Sequence, residues 1–199
     1  MLDLPFIYST AILLLMLTDP FGNLPVFLAT LKPVPKQRHA KVLMRELCFA
    51  LVAMVLALSF GQTFFGMLQI EGGTLAIAGG LILFLTGIKM VFSSLAEAKE
   101  DAQGEPFIVP MAIPLMCGPG VIAILSTLSG SVPQATYLNC LCALLLAWIL
   151  QSVILFAGHR IARRLDVRVL NAIESLMGLL LVCLAVGLVI RGINQTYGL

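Results

Sequence analysis

One carboxylate stands inside an apolar run. In TDPFGNLPVF, residues 18–27, Asp19 is followed by Pro20, Gly22, Asn23 and Pro25, with apolar sequence on both sides. A second interruption, PLMCGPG, places Pro114, Gly118, Pro119 and Gly120 inside another apolar run. Proline removes a helical hydrogen bond and clashes with the preceding turn, so each run reads as two half-helices. In hydrocarbon the freed backbone groups find partners only against protein or in a wet cavity. A half-helix end carries unpaired backbone groups and about half a unit of charge. Two half-helix N-termini suit an anion such as a carboxylate. The end near Thr18-Asp19 instead offers carbonyls and the Asp19 side chain, a negative pole. Opposite poles side by side in an apolar setting fit a small zwitterion, of which a free amino acid is the simplest.

Asp19 carries most of this reading. A charged side chain at the bilayer centre costs about 2.5–3.5 kcal/mol on insertion scales, so it normally faces a cavity and serves function. The structural alternative is an aspartate that is protonated or caps the break. As a functional group it either binds a substrate ammonium or carries a coupling proton or Na⁺, and the residues do not choose. No other cofactor and no metal are expected. Gly22, Gly118 and Gly120 would let backbone approach a solute, although glycine in membrane helices equally serves packing. Gln62, Thr86, Gln151 and Ser152 either line a path or bond neighbouring helices. Glu174, Glu46 and Arg45 are placed for pairing at a membrane face.

The elements that must hold these residues are membrane helices. The chain has 199 residues, of which 60% are hydrophobic and 11% charged, against about 25% charged in soluble domains. Crossing a hydrocarbon core of about 30 Å takes roughly 20 helical residues. Six runs of that size can be laid out, at about 6–30, 47–68, 74–93, 107–129, 137–158 and 169–191. The first and fourth are the interrupted ones. In the first, the second half-helix would start near Asn23-Leu24-Pro25, with asparagine as N-cap and proline in the first turn. In the fourth it would start at Gly118-Pro119-Gly120.

Charge placement orients the spans. The first loop carries Lys32, Lys36, Arg38, Lys41 and Arg45; the fifth carries Arg160, Arg163, Arg164 and Arg168; the third adds Lys99. The second and fourth loops hold no Lys or Arg. By the positive-inside rule loops one, three and five are cytoplasmic and both termini are outside; Arg191 alone argues the other way. His39 and His159 fall in basic loops and are not intramembrane ligands, and Lys89 reads as a snorkelling residue. The N-terminal run lacks the basic flank of a signal peptide, so it is expected to stay as the first span. The five cysteines lie in apolar stretches without metal spacing and read as small buried hydrophobes.

The halves also resemble each other. At an offset of 94, Pro20 meets Pro114, Pro25 meets Pro119 and Cys48 meets Cys142; at an offset of 98, Gly80 meets Gly178 and Leu83 meets Leu181. Three spans per repeat force the second repeat to sit inverted, the architecture of many secondary transporters, whose site lies at the midplane between discontinuous helices. The expected fold is an all-α integral membrane protein of six transmembrane helices, built as two inverted three-helix repeats with helices 1 and 4 broken at the midplane. It forms a single membrane domain over 1–199, with repeat 1 at 1–94, a connector at 95–106 and repeat 2 at 107–199.

The segments DPFGNLPVFLATL, RELCFALV and EPFIVPMAIPLMCGPGVIAIL resemble the MarC family of bacterial inner-membrane proteins, also called the neutral amino acid transporter family, and most closely its YhgN-type members. The resemblance covers essentially the whole chain. It implies a six-span protein of the cytoplasmic membrane, distantly related to LysE-type exporters, that moves small neutral amino acids such as alanine and glycine. By motif match it carries a substrate role to Asp19, Pro20, Gly22, Asn23, Pro25, Pro114, Gly118, Pro119 and Gly120. The expected function is therefore a secondary transporter, an exporter or permease, whose partners are a neutral amino acid and the bilayer, with no nucleic acid. A passive channel or a non-transporting scaffold is the alternative. No G-x-x-x-x-G-K-[ST] motif is present for nucleotide hydrolysis. An enzyme would need a nucleophile–base pair at membrane depth, and Asp19 stands without a deep histidine, so no enzymatic activity is expected.

Overall fold

The computed structural model of the chain describes residues 3–24, 31, 35–96, 117–130, 134–161 and 167–198. Regular structure among them is entirely helical: α1 (Leu4–Thr18), a short 3₁₀ turn (Lys36–Arg38), α2 (His39–Met67), α3 (Gly72–Ala96), α4 (Pro119–Gly130), α5 (Gln134–Ile161) and α6 (Val167–Tyr197). Among the described residues four segments are long and apolar enough to cross a membrane: His39–Met67, Gly72–Phe92, Tyr137–Gly158 and Ala172–Tyr197. These correspond to the second, third, fifth and sixth expected spans. By contrast α1 has 15 residues and α4 has 12, so they reach only about 22 and 18 Å at 1.5 Å per residue. Residues 97–116, which include most of the connector and the first part of the fourth expected span, lie outside the described residues, whereas residues 95 and 96 of the connector belong to α3.

Two helices run further than apolarity alone indicates. The sequence pattern starts the second span at 47, whereas α2 begins at His39. Its buried stripe continues backwards through Leu47, Leu43 and His39, a spacing of four that keeps one face on the core through the basic segment. Likewise α6 continues past Arg191 to Tyr197. The reason is Gly192, which packs against Gly73 of α3.

That contact belongs to a seam. Gly73, Gly80 and Gly87 of α3 face Gly192, Ala185 and Gly178 of α6. A Cβ built on Gly87 would come within 2.8 Å of the Gly178 carbonyl oxygen, and the reciprocal distance is the same. Small residues every seventh position let the two antiparallel backbones touch, which is how membrane helices associate without a hydrophobic drive. This is the most extensive pairing among the described helices. The other main pairings are α1 with α5 and α2 with α4, and α3 also packs on α4.

Polar ties also cross between the described helices. The Asp3 N–H donates to Asn139 Oδ1 at 3.4 Å, joining α1 to α5. Trp148 Nε1 donates to the Leu47 carbonyl at 2.8 Å, and the Ser59 and Tyr137 hydroxyls lie 2.8 Å apart, both joining α5 to α2. Outward faces are apolar: Phe49, Val52, Leu56, Phe60 and Phe64 form an exposed stripe along α2. A soluble monomer does not present such a surface; in lipid it is ordinary.

Candidate functional site

The end of α1 is built by local sequence. Asp3 accepts the Phe6 N–H at 3.2 Å and Pro5 occupies the first turn, so the helix starts cleanly. It stops at Thr18 because Asp19 adopts a left-handed conformation (φ 40, ψ 66) and Pro20 follows. The Asp19 N–H still reaches the Leu15 carbonyl at 3.2 Å. Asn23 secures the turn from the far side: its amide nitrogen donates to the Thr18 carbonyl at 2.8 Å, and its N–H to the Asp19 carbonyl at 3.1 Å. Leu24 is helical again, so Asn23 stands directly before a new helical start. Residues 25–30, with Pro25, lie outside the described residues.

Asp19 is 6% exposed. Its Oδ1 accepts the Gly22 N–H at 3.1 Å, whereas Oδ2 is buried with no hydrogen-bond partner. Gly22 has no room for a side chain, because a Cβ would strike Asp19 Oδ2 and the tip of Met90 from α3. The carboxylate therefore sits at a helix C-terminus, where the dipole is itself negative. Two negative features converge in a desolvated place, and the arrangement calls for a cation: an ammonium, a proton or Na⁺. A crevice beside Asp19 and Pro20, lined across by Met177, Leu181 and Leu184 of α6, measures about 10 Å³. That is room for one water at most, so the site is closed in this structure.

The second interruption supplies a helix N-terminus. The helix α4 starts at Pro119, and the Gly118 carbonyl accepts the N–H groups of Val121 (2.9 Å) and Ile122 (3.1 Å). Gly118 is half-buried, whereas Gly120 is buried against Leu83 of α3. Gly120 thus serves close packing of α4 on α3. Pro114 lies outside the described residues. The register of the α3–α6 seam sets Leu83 level with Leu181, the residue across from Asp19. The negative end of α1 and the positive end of α4 are consequently held at one height on the same two-helix support.

The weaker polar candidates separate by environment. Thr86 and Ser152 bond carbonyls of their own helices, Ile82 at 2.9 Å and Trp148 at 2.7 Å. Lys89 is exposed. Arg45 pairs with its neighbour Glu46 at 2.9 Å; Glu46 is only 3% exposed and its second oxygen has no partner. Gln151 is 1% exposed with both amide atoms unpartnered. Glu174 is half-buried on α6. Ser126 escaped the sequence reading: it is buried and its hydroxyl is unpartnered. Serine in an apolar helix is too common a residue to signal this.

The fold defines a multi-pass α-helical membrane protein. Residues 4–197 match the family described as MarC family integral membrane protein. The chain belongs to the MarC family. It is 42% identical over 191 residues to the "UPF0056 inner membrane protein YhgN" of Escherichia coli (strain K12), covering 95% of this chain and 96% of that protein. It is 38% identical over 195 residues to a "UPF0056 membrane protein" of Buchnera aphidicola subsp. Baizongia pistaciae, covering 96% and 98% of the two chains. A relative in Chlamydia pneumoniae is 32% identical over 194 residues, covering 96% and 95%. No solved structure shows a significant match.

Proposed function

We propose that this protein is a secondary transporter, an exporter or permease, for small neutral amino acids such as alanine and glycine. The carrying observation is Asp19: a buried carboxylate at a helix C-terminus with one oxygen unpartnered. The α4 N-terminus at the same height supplies a positive pole for the substrate carboxylate, as Asp19 supplies a negative one for the ammonium. Alternating access then proceeds around this site, with H⁺ or Na⁺ as coupling ion, and involves no bond chemistry.

The inverted repeat belongs to the same reading. At the offset of 98 that relates the third helices of the two repeats, the Gly80–Ala185 contact maps onto Gly178–Gly87, an exchange of α3 with α6 that returns their pair to itself. Such an exchange is what a two-fold axis in the membrane plane produces. In this arrangement the breaks in spans one and four lie at the midplane, and both termini face the periplasm of a bacterial inner membrane.

The test is uptake of labelled alanine and glycine by proteoliposomes of the native chain and Asp19→Asn. Asparagine retains an oxygen for the Gly22 N–H and removes the charge. The expected result is saturable transport in the native chain, lost in the variant, with an imposed pH or Na⁺ gradient identifying the coupling ion. Unsaturable flux would make the protein a channel, and no flux of either solute would leave a scaffold role.

A further inference from the structure

Beyond the Asp19 site, the molecule has a cavity of about 470 Å³ where the α2–α3 turn, the outer half of α4 and the last turns of α6 meet. Its polar lining comes from all of these elements: Gln62, Gln69, Glu71, Ser126, Thr127 and Gln195. Glu71 is the only charged residue among the described lining side chains. We propose that this cavity is a second solute site, an outer access site that holds a small amino acid by its ammonium on Glu71 and by the surrounding amides and hydroxyls. The inference rests on the carrier reading and adds where the solute waits outside the closed centre.

Three observations carry it. The volume lies in the range of small-molecule sites, about 300–1,000 Å³. Ser126, which borders the cavity, is 3% exposed, and its hydroxyl is buried against Gly61 of α2 with no partner. A buried polar group without a partner is costly in a settled structure, and a small parting of α4 from α2 would bring this one within reach of a solute. Gln69, in the wall, takes a left-handed conformation (φ 56) to close the α2 helix: its N–H donates to the Gly66 carbonyl at 3.0 Å and that of Ile70 to the Phe65 carbonyl at 2.9 Å. The turn thus points a long amide into the cavity where glycine would have served the backbone better. From Ser126 the α4 helix runs back to Gly118, about 12 Å along its axis, so the cavity opens onto the element whose N-terminus faces the proposed centre. The turn between α2 and α3 has no Lys or Arg, which places the mouth on the outer side.

The experiment uses Gln195→Cys in sealed right-side-out vesicles, with a membrane-impermeant maleimide as probe and the native chain as the thiol background. The expected result is rapid labelling, slowed by millimolar alanine or glycine, with protection lost on adding Glu71→Gln. In proteoliposomes Glu71→Gln and Ser126→Ala should raise KM for alanine, Glu71→Gln by about tenfold for one charge-assisted hydrogen bond, with the maximal rate little changed. No labelling would overturn the site whatever the cargo. Labelling without protection, alongside Asp19-dependent transport, would overturn the access site and leave the carrier standing. Absence of both protection and transport would overturn both.

Discussion

Asp19 occupies a backbone region that costs an ordinary residue about 1–2 kcal/mol, although aspartate and asparagine tolerate it better than most. Holding an acid there, rather than the glycine that helix ends favour, is a choice with a consequence for experiment. Asp19→Gly relieves the left-handed strain and loses the bond to the Gly22 N–H. The expected outcome is a protein of nearly unchanged melting temperature in detergent that no longer transports, separating fold from function at one position. Gly22→Ala should do the reverse kind of damage. Its Cβ collides with the Asp19 carboxylate and with Met90, so transport should fall more than the effect of Met90→Ala alone, measured in the same vesicles. The motif around Asp19 was plain in the sequence because charge and proline are rare in apolar runs. Gln151 and Gln62 show the opposite: identical residue types, one sealed in the core and one lining an open cavity, a difference set by which face of each helix meets a neighbour.

Between helices, the seam of α3 with α6 is the tightest contact and depends on the absence of side chains. Gly87→Leu would drive four carbons into the Gly178 carbonyl, and overpacking of this kind costs about 1–3 kcal/mol or more. Folded yield and melting temperature in detergent should drop sharply. Gly187→Leu is the control, since nothing lies within 4 Å of a Cβ there, and it should be tolerated. A smaller effect is expected for Trp148→Phe, which removes one hydrogen bond to the Leu47 carbonyl, worth about 1 kcal/mol. The seven-residue spacing of small residues was present in the chain all along. It acquires meaning only once α3 and α6 are known to be partners, because glycine spacing on one helix does not name the helix it meets.

Among the described residues, two short helices and four long ones pack as three main pairs, α3 with α6, α1 with α5 and α2 with α4, and α3 also meets α4. The carrier reading requires that both termini share one side and that the first basic loop lies on the other. Cysteines introduced at Asp3 and Gly198 should be labelled by an impermeant reagent from the outside of intact cells, and Gln37→Cys only after permeabilisation. Labelling of Gln37→Cys in intact cells would reverse the orientation and with it the side on which the larger cavity opens. The α3–α6 seam is the largest pairing among the described helices, so on the carrier reading rearrangement falls to the α1–α5 and α2–α4 pairs. Leu83 and Leu181, which the sequence comparison of the two halves aligns, lie against Gly120 of α4 and beside the Asp19 crevice respectively.

Composition and local chemistry were enough to establish a membrane protein, its four continuous spans, its two interrupted runs and the one acid inside them. Those features arise within a few residues of one another, where hydropathy, proline geometry and capping act. The extension of α2 and α6, the partners of each glycine, the closed state around Asp19 and the polar cavity with its unpaired serine came only from the tertiary structure. They depend on contacts between residues distant in the chain, which packing decides and no single segment encodes.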